Sequence, residues 1–170
     1  MELLHTAHVP AGDGPFPTVI ALHGWGASAH DLFGLAPYLH GGEALVLCPQ
    51  GPLAFDTGGG VPGYGWFPLS SGASFDPALF ERALATLRGF VSEVLTRYPA
   101  DARKVALMGF SQGGVMAYAL ALREPDPFIG EHFLELIDHE HQPLLRCVPC
   151  SELAQQRLRV LRRSPDASRQ

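Results

Sequence analysis

The pentapeptide Gly109-Phe-Ser-Gln-Gly113 constrains this chain more than any other stretch of its sequence. An apolar run from Lys104 to Met108 precedes it, and a second one from Gly114 to Leu122 follows. The order of strand, Gly-x-Ser-x-Gly and helix forces the serine into a strained, tight turn that lifts its hydroxyl above the sheet. A side chain at either glycine would crowd the backbone of such a turn. The pattern therefore predicts that Ser111 is a nucleophile rather than a simple helix cap.

Short apolar runs bounded by Gly and Pro are typical of parallel strands that are covered on both faces. This chain has three of them, at 16–22, 44–48 and 104–108. Helices are predicted between them, a short one at 30–39 and a long one at 76–98, where Asp76 and Pro77 make a good start. The alternation predicts a three-layer α/β sandwich with a mostly parallel sheet. The loops after the three strands should then converge on one rim.

Length and charge exclude several classes of protein. A chain of 170 residues favours one domain, and a formal net charge of -5 predicts no nucleic-acid partner. No window approaches the roughly 18 continuous apolar residues of a membrane span. The first eight residues lack the pattern of a secretory signal, which predicts a cytoplasmic protein. Three cysteines, Cys48, Cys147 and Cys150, are too few for a disulfide framework.

The loop His23-Gly-Trp-Gly26 supplies a second part of an acyl-transfer site. A tetrahedral intermediate develops negative charge on oxygen, which preorganised backbone N–H groups stabilise. We expect one donor to be the N–H of Gln112, which opens a helix, and the other to be the N–H of Trp25. His23 precedes the serine and stands directly at a strand end, so it is interpreted as a structural residue that orients this loop.

A long glycine-rich connection from Ala54 to Ser74 contains three aromatic residues, Tyr64, Trp66 and Phe67. Two interpretations are open for them. They line an acyl pocket, or they pin a surface loop by aromatic packing.

These segments together resemble the phospholipase/carboxylesterase family of α/β-hydrolases, which includes acyl-protein thioesterases and small bacterial carboxylesterases. The resemblance covers about residues 16–126 and is carried by 17–26, 49–52, 65–67 and 109–117. It implies an α/β-hydrolase fold with Ser111 as nucleophile and an oxyanion hole formed by the N–H groups of Trp25 and Gln112. It also implies small ester or thioester substrates, without a metal or an organic cofactor.

The family pattern is lost from about residue 128 onward. We expect a hydrolase core at 1–127 and an atypical, helical tail of the same domain at 128–170, with one poor strand candidate at 144–148. The base and the acid of a catalytic triad are not identified. The histidines after the serine are His132, His139 and His141, and the aspartates are Asp126, Asp138 and Asp166.

The tail admits two further hypotheses. If 132–141 is helical, then His132, Glu135 and His139 share one face and, with Cys147 and Cys150, form a weak zinc-site pattern. Without the second half of the sheet, the strand at 104–108 becomes an edge. Either the tail or a second subunit of a homo-oligomer should cover that edge.

The sequence therefore predicts a serine carboxylesterase that hydrolyses short-chain carboxylic esters or thioesters through an acyl-enzyme on Ser111. Two alternatives stay open. One is a catalytically impaired hydrolase homologue that acts by binding or assembly. The other is a truncated or frameshifted product, in which an intact front half is joined to an unrelated end.

Overall fold

The computed structural model describes residues 3–69, 76–124, 133–137 and 144–148. The strands in these ranges are β1 (His5–His8), β2 (Phe16–Leu22), β3 (Leu45–Pro49), β4 (Leu53–Asp56), β5 (Pro62–Gly65), β6 (Ala100–Phe110), β7 (Phe133–Ile137) and β8 (Leu144–Val148). The helices are α1 (Pro77–Arg97) and α2 (Gln112–Arg123), and a 3-10 segment spans Phe33–Gly42.

The main sheet has six strands in the order β1-β3-β2-β6-β7-β8. Its four inner strands run parallel, and the two outer strands pair antiparallel to their neighbours. Strands β4 and β5 form a separate antiparallel hairpin. The prediction of a mostly parallel sheet is therefore confirmed, and the three predicted strands are β2, β3 and β6.

Side chains of β2, β3 and β6 alternate between two apolar layers, as the period of a strand requires. Ile20 and Leu22 lie in the larger core cluster with residues of α1 and α2. Ala21 lies in a second cluster, against apolar residues of the 3-10 segment such as Phe33 and Leu35. The sheet is thus covered on both faces, and the three-layer prediction is correct.

The long predicted helix is α1, and its start has the expected cap. The Asp76 carboxylate accepts hydrogen bonds from the N–H groups of Ala78 and Leu79, at 2.8 and 3.4 Å. The short predicted helix is instead the 3-10 segment, which contains Pro37 and bends at Leu39 to Gly41. A proline inside a helix removes one N–H donor and crowds the preceding turn, so a regular α-helix does not form there.

The prediction of a helix at 132–141 is wrong for residues 133–137, which form strand β7. A five-residue apolar run does not distinguish a strand from a helix by its periodicity. The open edge of β6 decides the outcome, because Met108, Gly109 and Phe110 there pair with three residues of β7. The weak strand candidate at 144–148 is confirmed as β8. The rest of the tail and its boundary near 127 lie outside the described residues.

Strand β6 is therefore not an edge of the sheet, because the tail pairs with it along its carboxyl-terminal end. The edge that a homo-oligomer was expected to cover is occupied by the same chain. A second subunit is therefore not needed to cover β6 at this place.

The zinc hypothesis loses its geometric basis for the same reason. Glu135 lies within β7, so it does not share a helical face with His132 and His139, which are themselves outside the described residues. Within the described part of the chain, no group of three His, Cys, Asp or Glu residues is arranged to hold a metal ion. Cys48 is buried in β3 and free, and burial raises the pKa of its thiol to about 11. It is a core residue, as predicted.

No helix in the described ranges has both the length and the apolar character that a membrane span requires.

Candidate active site

The loops after β2, β3 and β6 meet at one rim of the sheet, as the sequence predicted. His23, directly after β2, accepts a hydrogen bond at its Nε2 from the N–H of Gly51, which follows β3, at 2.9 Å. Gly24 packs against Phe110, the last residue of β6. Ser111 follows Phe110, so the loops after β2 and β6 meet beside the serine, and His23 connects the loop after β3 to them.

Ser111 has a backbone conformation that L-amino acids rarely adopt. Its φ is +49° and its ψ is -115°, and it is one of two non-glycine residues with positive φ in the described chain. Holding a residue in such a region costs about 1–3 kcal/mol, and the surrounding structure must enforce it. The Ser111 side chain is exposed and forms no capping hydrogen bond with α2. The simple helix-cap interpretation of this serine is therefore wrong.

The two glycines of the pentapeptide are required by close backbone approach. A Cβ at Gly109 would lie within 3.0 Å of the backbone of Gly113 and Gly114. A Cβ at Gly113 would lie within 3.0 Å of the carbonyl oxygens of Leu22 and His23. The turn is thus wedged between its own helix and the end of β2, and only glycine fits at either side of it.

The loop that contains Trp25 is fixed by the β4–β5 hairpin. The N–H of Gly26 donates to the Tyr64 carbonyl at 2.9 Å, and the Tyr64 N–H donates to the Ala27 carbonyl at 3.0 Å. The Trp25 indole stacks on Phe55 at a centroid distance of 4.2 Å. These contacts hold the Trp25 peptide in one place.

The two predicted oxyanion donors are the backbone N–H groups of Gln112, at the start of α2, and of Trp25, in the loop after β2. Gln112 is the first residue of α2, so its N–H has no acceptor within the helix. The Trp25 N–H has no acceptor among the residues that the structure describes. Their joint action on a substrate oxygen stays a prediction.

His23 is a buried, neutral residue whose two ring nitrogens are both engaged. Its Nε2 accepts from the Gly51 N–H, so the proton is on Nδ1, which donates to the Gly24 carbonyl at 2.8 Å. Desolvation by burial lowers the pKa of His23. Neither nitrogen is free to take a proton from Ser111. His23 orients its loop, as predicted.

The three aromatic residues of the glycine-rich connection do not form a common pocket. Trp66 and Phe67 are only 2% and 7% exposed and belong to the main core cluster. Tyr64 is half-buried and pairs through its backbone with the Trp25 loop. For Trp66 and Phe67, the packing interpretation is therefore the correct one.

Two features of this site were not predicted from the sequence. The first is the β4–β5 hairpin, which the turn residues Asp56-Thr-Gly-Gly-Gly60 indicate in retrospect. The second is the Gln112 side chain, which is buried and hydrogen-bonded to the backbone of Trp66 and Phe67. A polar residue on an otherwise apolar, glycine-rich helix start was the only available indication.

The candidate bases His132, His139 and His141 lie outside the described residues, as do Asp126, Asp138 and Asp166. Among the described residues, no imidazole is hydrogen-bonded to Ser111. Because β7 is parallel to β6 and Leu136 pairs with Phe110, β7 ends at the same rim as Ser111.

The family comparison agrees with this geometry. The model of the phospholipase/carboxylesterase family matches residues 5–132. The chain belongs to this family. The match extends beyond the stretch of 16–126 in which the resemblance was seen, and it ends just before β7.

Solved structures with the same fold include three esterases. Esterase PE8 is 27% identical with a TM-score of 0.63, and the match covers 74% of this chain and 60% of that chain. The carboxylesterase of Bacillus cereus is 21% identical with a TM-score of 0.63, and 94% of this chain and 78% of that chain are covered. The carboxylesterase of Mesorhizobium loti is 20% identical with a TM-score of 0.60, at 75% and 59% coverage. The chain thus spans 60% of the length of esterase PE8.

We predict that Gly113→Ala destabilises the protein while Gly89→Ala does not. Both glycines lie in helices, but a Cβ at Gly89 meets nothing within 4 Å. Gly113→Ala should lower the free energy of unfolding by about 3 kcal/mol, at the upper end of overpacking costs. Gly89→Ala should raise it by about 0.5–1 kcal/mol, since alanine favours a helix. Urea unfolding of both variants measures this, and equal effects would contradict the wedged turn.

We also predict that His23 makes stability depend on pH. Its pKa in the folded protein lies below the ordinary imidazole value of 6.5. Its contribution is therefore complete above this value and is lost as the pH falls below it, because the unfolded chain then binds a proton that the folded one does not. In His23→Gln, Tm should therefore decrease less as the pH is lowered than it does in the wild type. His30→Gln, at an exposed histidine of the same loop, is the control and should keep the wild-type decrease. This prediction is contradicted if Tm falls with decreasing pH as steeply in both variants as in the wild type.

Proposed function

We propose that this protein is a serine carboxylesterase that hydrolyses short-chain carboxylic esters or thioesters through an acyl-enzyme on Ser111. The observation that carries the proposal is the conformation of Ser111. A non-glycine residue is held at a φ of +49°, with its side chain exposed, at the point where β6 turns into α2. Membership of the phospholipase/carboxylesterase family and the likeness to esterase PE8 support a hydrolase.

In the proposed reaction, the Ser111 Oγ attacks the carbonyl carbon of the ester and its proton passes to a histidine base. The carbonyl oxygen becomes an oxyanion, which accepts hydrogen bonds from the Trp25 and Gln112 N–H groups. Collapse of the intermediate breaks the bond to the alcohol or thiol, which leaves with the proton from the histidine. Water then attacks the acyl-enzyme in the same way, which releases the acid and restores the serine.

Two features of the strand-to-helix turn at Ser111, which we call the elbow, favour the development of negative charge in this reaction. The N-terminus of α2 directly follows Ser111, and the positive end of a helix dipole stabilises a developing negative charge. Both proposed oxyanion donors are backbone groups of anchored segments, so little reorganisation accompanies the attack.

The base is proposed to be one of His132, His139 and His141, with Asp126 as the acid or, for His141, Asp138. The end of β7 at the rim of Ser111 supports this assignment, because Asp138 and His139 are the next residues in sequence. None of the five histidines in the described ranges is hydrogen-bonded to the serine.

A preference for short acyl chains is supported by the aromatic groups near the serine. Trp25 and Phe55 form a half-buried stacked pair beside the loop that contains the Trp25 N–H. Phe110, next to Ser111, is 40% exposed. These rings offer apolar surface of modest extent. Location in the cytoplasm and the absence of a nucleic-acid partner stay predictions from the sequence.

Hydrolysis of p-nitrophenyl acetate tests this function. Ser111→Ala should lower kcat by at least about 10⁴-fold, since loss of a triad serine removes the covalent route. Ser92→Ala, at an exposed position of α1, is the control and should retain wild-type kcat. Equal rates in the wild type and Ser111→Ala would show that Ser111 is not the nucleophile.

The base is found by three further variants, His132→Gln, His139→Gln and His141→Gln, each assayed with the same substrate. One of them should fall to about the level of Ser111→Ala, because the serine then has no proton acceptor. His30→Gln serves as the control. Full activity in all three would overturn the proposal that the tail supplies the base.

A further inference from the structure

Gln112 has a backbone and a side chain that contact different parts of the site. Its N–H opens α2 directly after Ser111. Its side chain is only 3% exposed and lies in the protein interior, where the proposed reaction makes no use of it. A buried primary amide at this position needs partners for both of its ends.

The side chain finds both partners in one neighbouring peptide segment. Its Oε1 accepts a hydrogen bond from the Trp66 N–H at 2.8 Å, and its Nε2 donates to the Phe67 carbonyl at 2.7 Å. The fixed donor on one side and the fixed acceptor on the other identify the oxygen and nitrogen ends of the amide. We call this pair of hydrogen bonds the Gln112 clamp.

The clamp continues to the loop of the second oxyanion donor. The Trp66 indole Nε1–H donates to the His23 carbonyl at 2.9 Å. A Cβ at Gly65, next to Trp66, would overlap the Trp25 ring, so the segment packs directly under that residue. The elbow and the Trp25 loop are therefore connected through Trp66.

We propose that the Gln112 side chain is a positioning residue, which sets the location of the Trp25 N–H relative to Ser111 and the Gln112 N–H. The role rests on the proposed function and adds to it the part that aligns the oxyanion hole. Donors of this kind stabilise a transition state only when they are in place before the attack. A small misplacement of one of them lowers the rate of the chemical step without weakening substrate binding to the same extent.

The variant Gln112→Glu separates this role from simple packing. It keeps the shape and the oxygen that accepts from the Trp66 N–H. When ionised, its second oxygen faces the Phe67 carbonyl and repels it; when protonated, its O–H donates to that carbonyl as the amide does. The titratable group within the described hydrogen-bond network is His23, which is neutral there. The damage should therefore diminish in acid.

Steady-state kinetics on p-nitrophenyl acetate, in alkaline and in mildly acidic buffer, test the proposal. In alkaline buffer Gln112→Glu should have a kcat roughly 10- to 100-fold below wild type with KM nearly unchanged, as expected for a misplaced donor. Relative to wild type, kcat should recover in acidic buffer. Gln50→Glu, the same substitution in the loop after β3, measures the effect of the added charge alone. Gln112→Met, which loses both hydrogen bonds without a charge, should be slow in both buffers.

Near-UV circular dichroism checks that each variant is folded. If Gln112→Glu is unfolded, the kcat of Gln112→Met tests the positioning role. Wild-type kcat in the folded Gln112 variants, or a loss that Gln50→Glu reproduces, overturns the positioning role alone. So does a deficit of Gln112→Glu that stays constant with pH. A wild-type protein without hydrolytic activity overturns the proposed function, and the positioning role with it.

Discussion

The structure depends on the close approach of Gly113 to the carbonyl oxygens of Leu22 and His23. Here the start of α2 is pressed against the end of β2, with no space for a single carbon atom between them. Because β2 pairs with β6, which leads into the same turn, the elbow is held from two sides. Ser111, which has a positive φ, lies within this confined turn between the strand and the helix. The strain at the serine is thus balanced by the packing of the central sheet.

Hydrogen bonds between the loops at the rim of the sheet connect them to this turn and hold them in place. His23 links the loops after β2 and β3 because burial keeps its ring neutral and both nitrogens find backbone partners. Gln112 and Trp66 link the elbow to the β4–β5 region by the same kind of contact. None of the described buried side-chain polar atoms lacks a partner. A rim built in this way holds backbone N–H groups in place, as an oxyanion hole needs.

The sequence predicted those features that depend on local chemistry. The elbow follows from two glycines around a serine, and α1 follows from its apolar spacing and the Asp76 cap. Features that depend on contacts between distant parts of the chain could not be predicted in this way. Strand β7 is a five-residue apolar run whose structure is decided by the free edge of β6. Its partners there lie 26 positions away in the chain, which no local pattern reveals. The Gln112 contacts were missed for a similar reason, because their partners lie 45 and 46 positions distant.

Covalent labelling with a fluorophosphonate tests the central claim most directly, since the reagent modifies only an activated serine. Trypsin should release the elbow within the peptide 105–123, which is bounded by Lys104 and Arg123 and contains Ser111 as its one serine. We predict that mass spectrometry finds the adduct on this peptide when the folded protein is labelled and not when the protein is denatured first. A folded protein whose peptide 105–123 stays unmodified would contradict it.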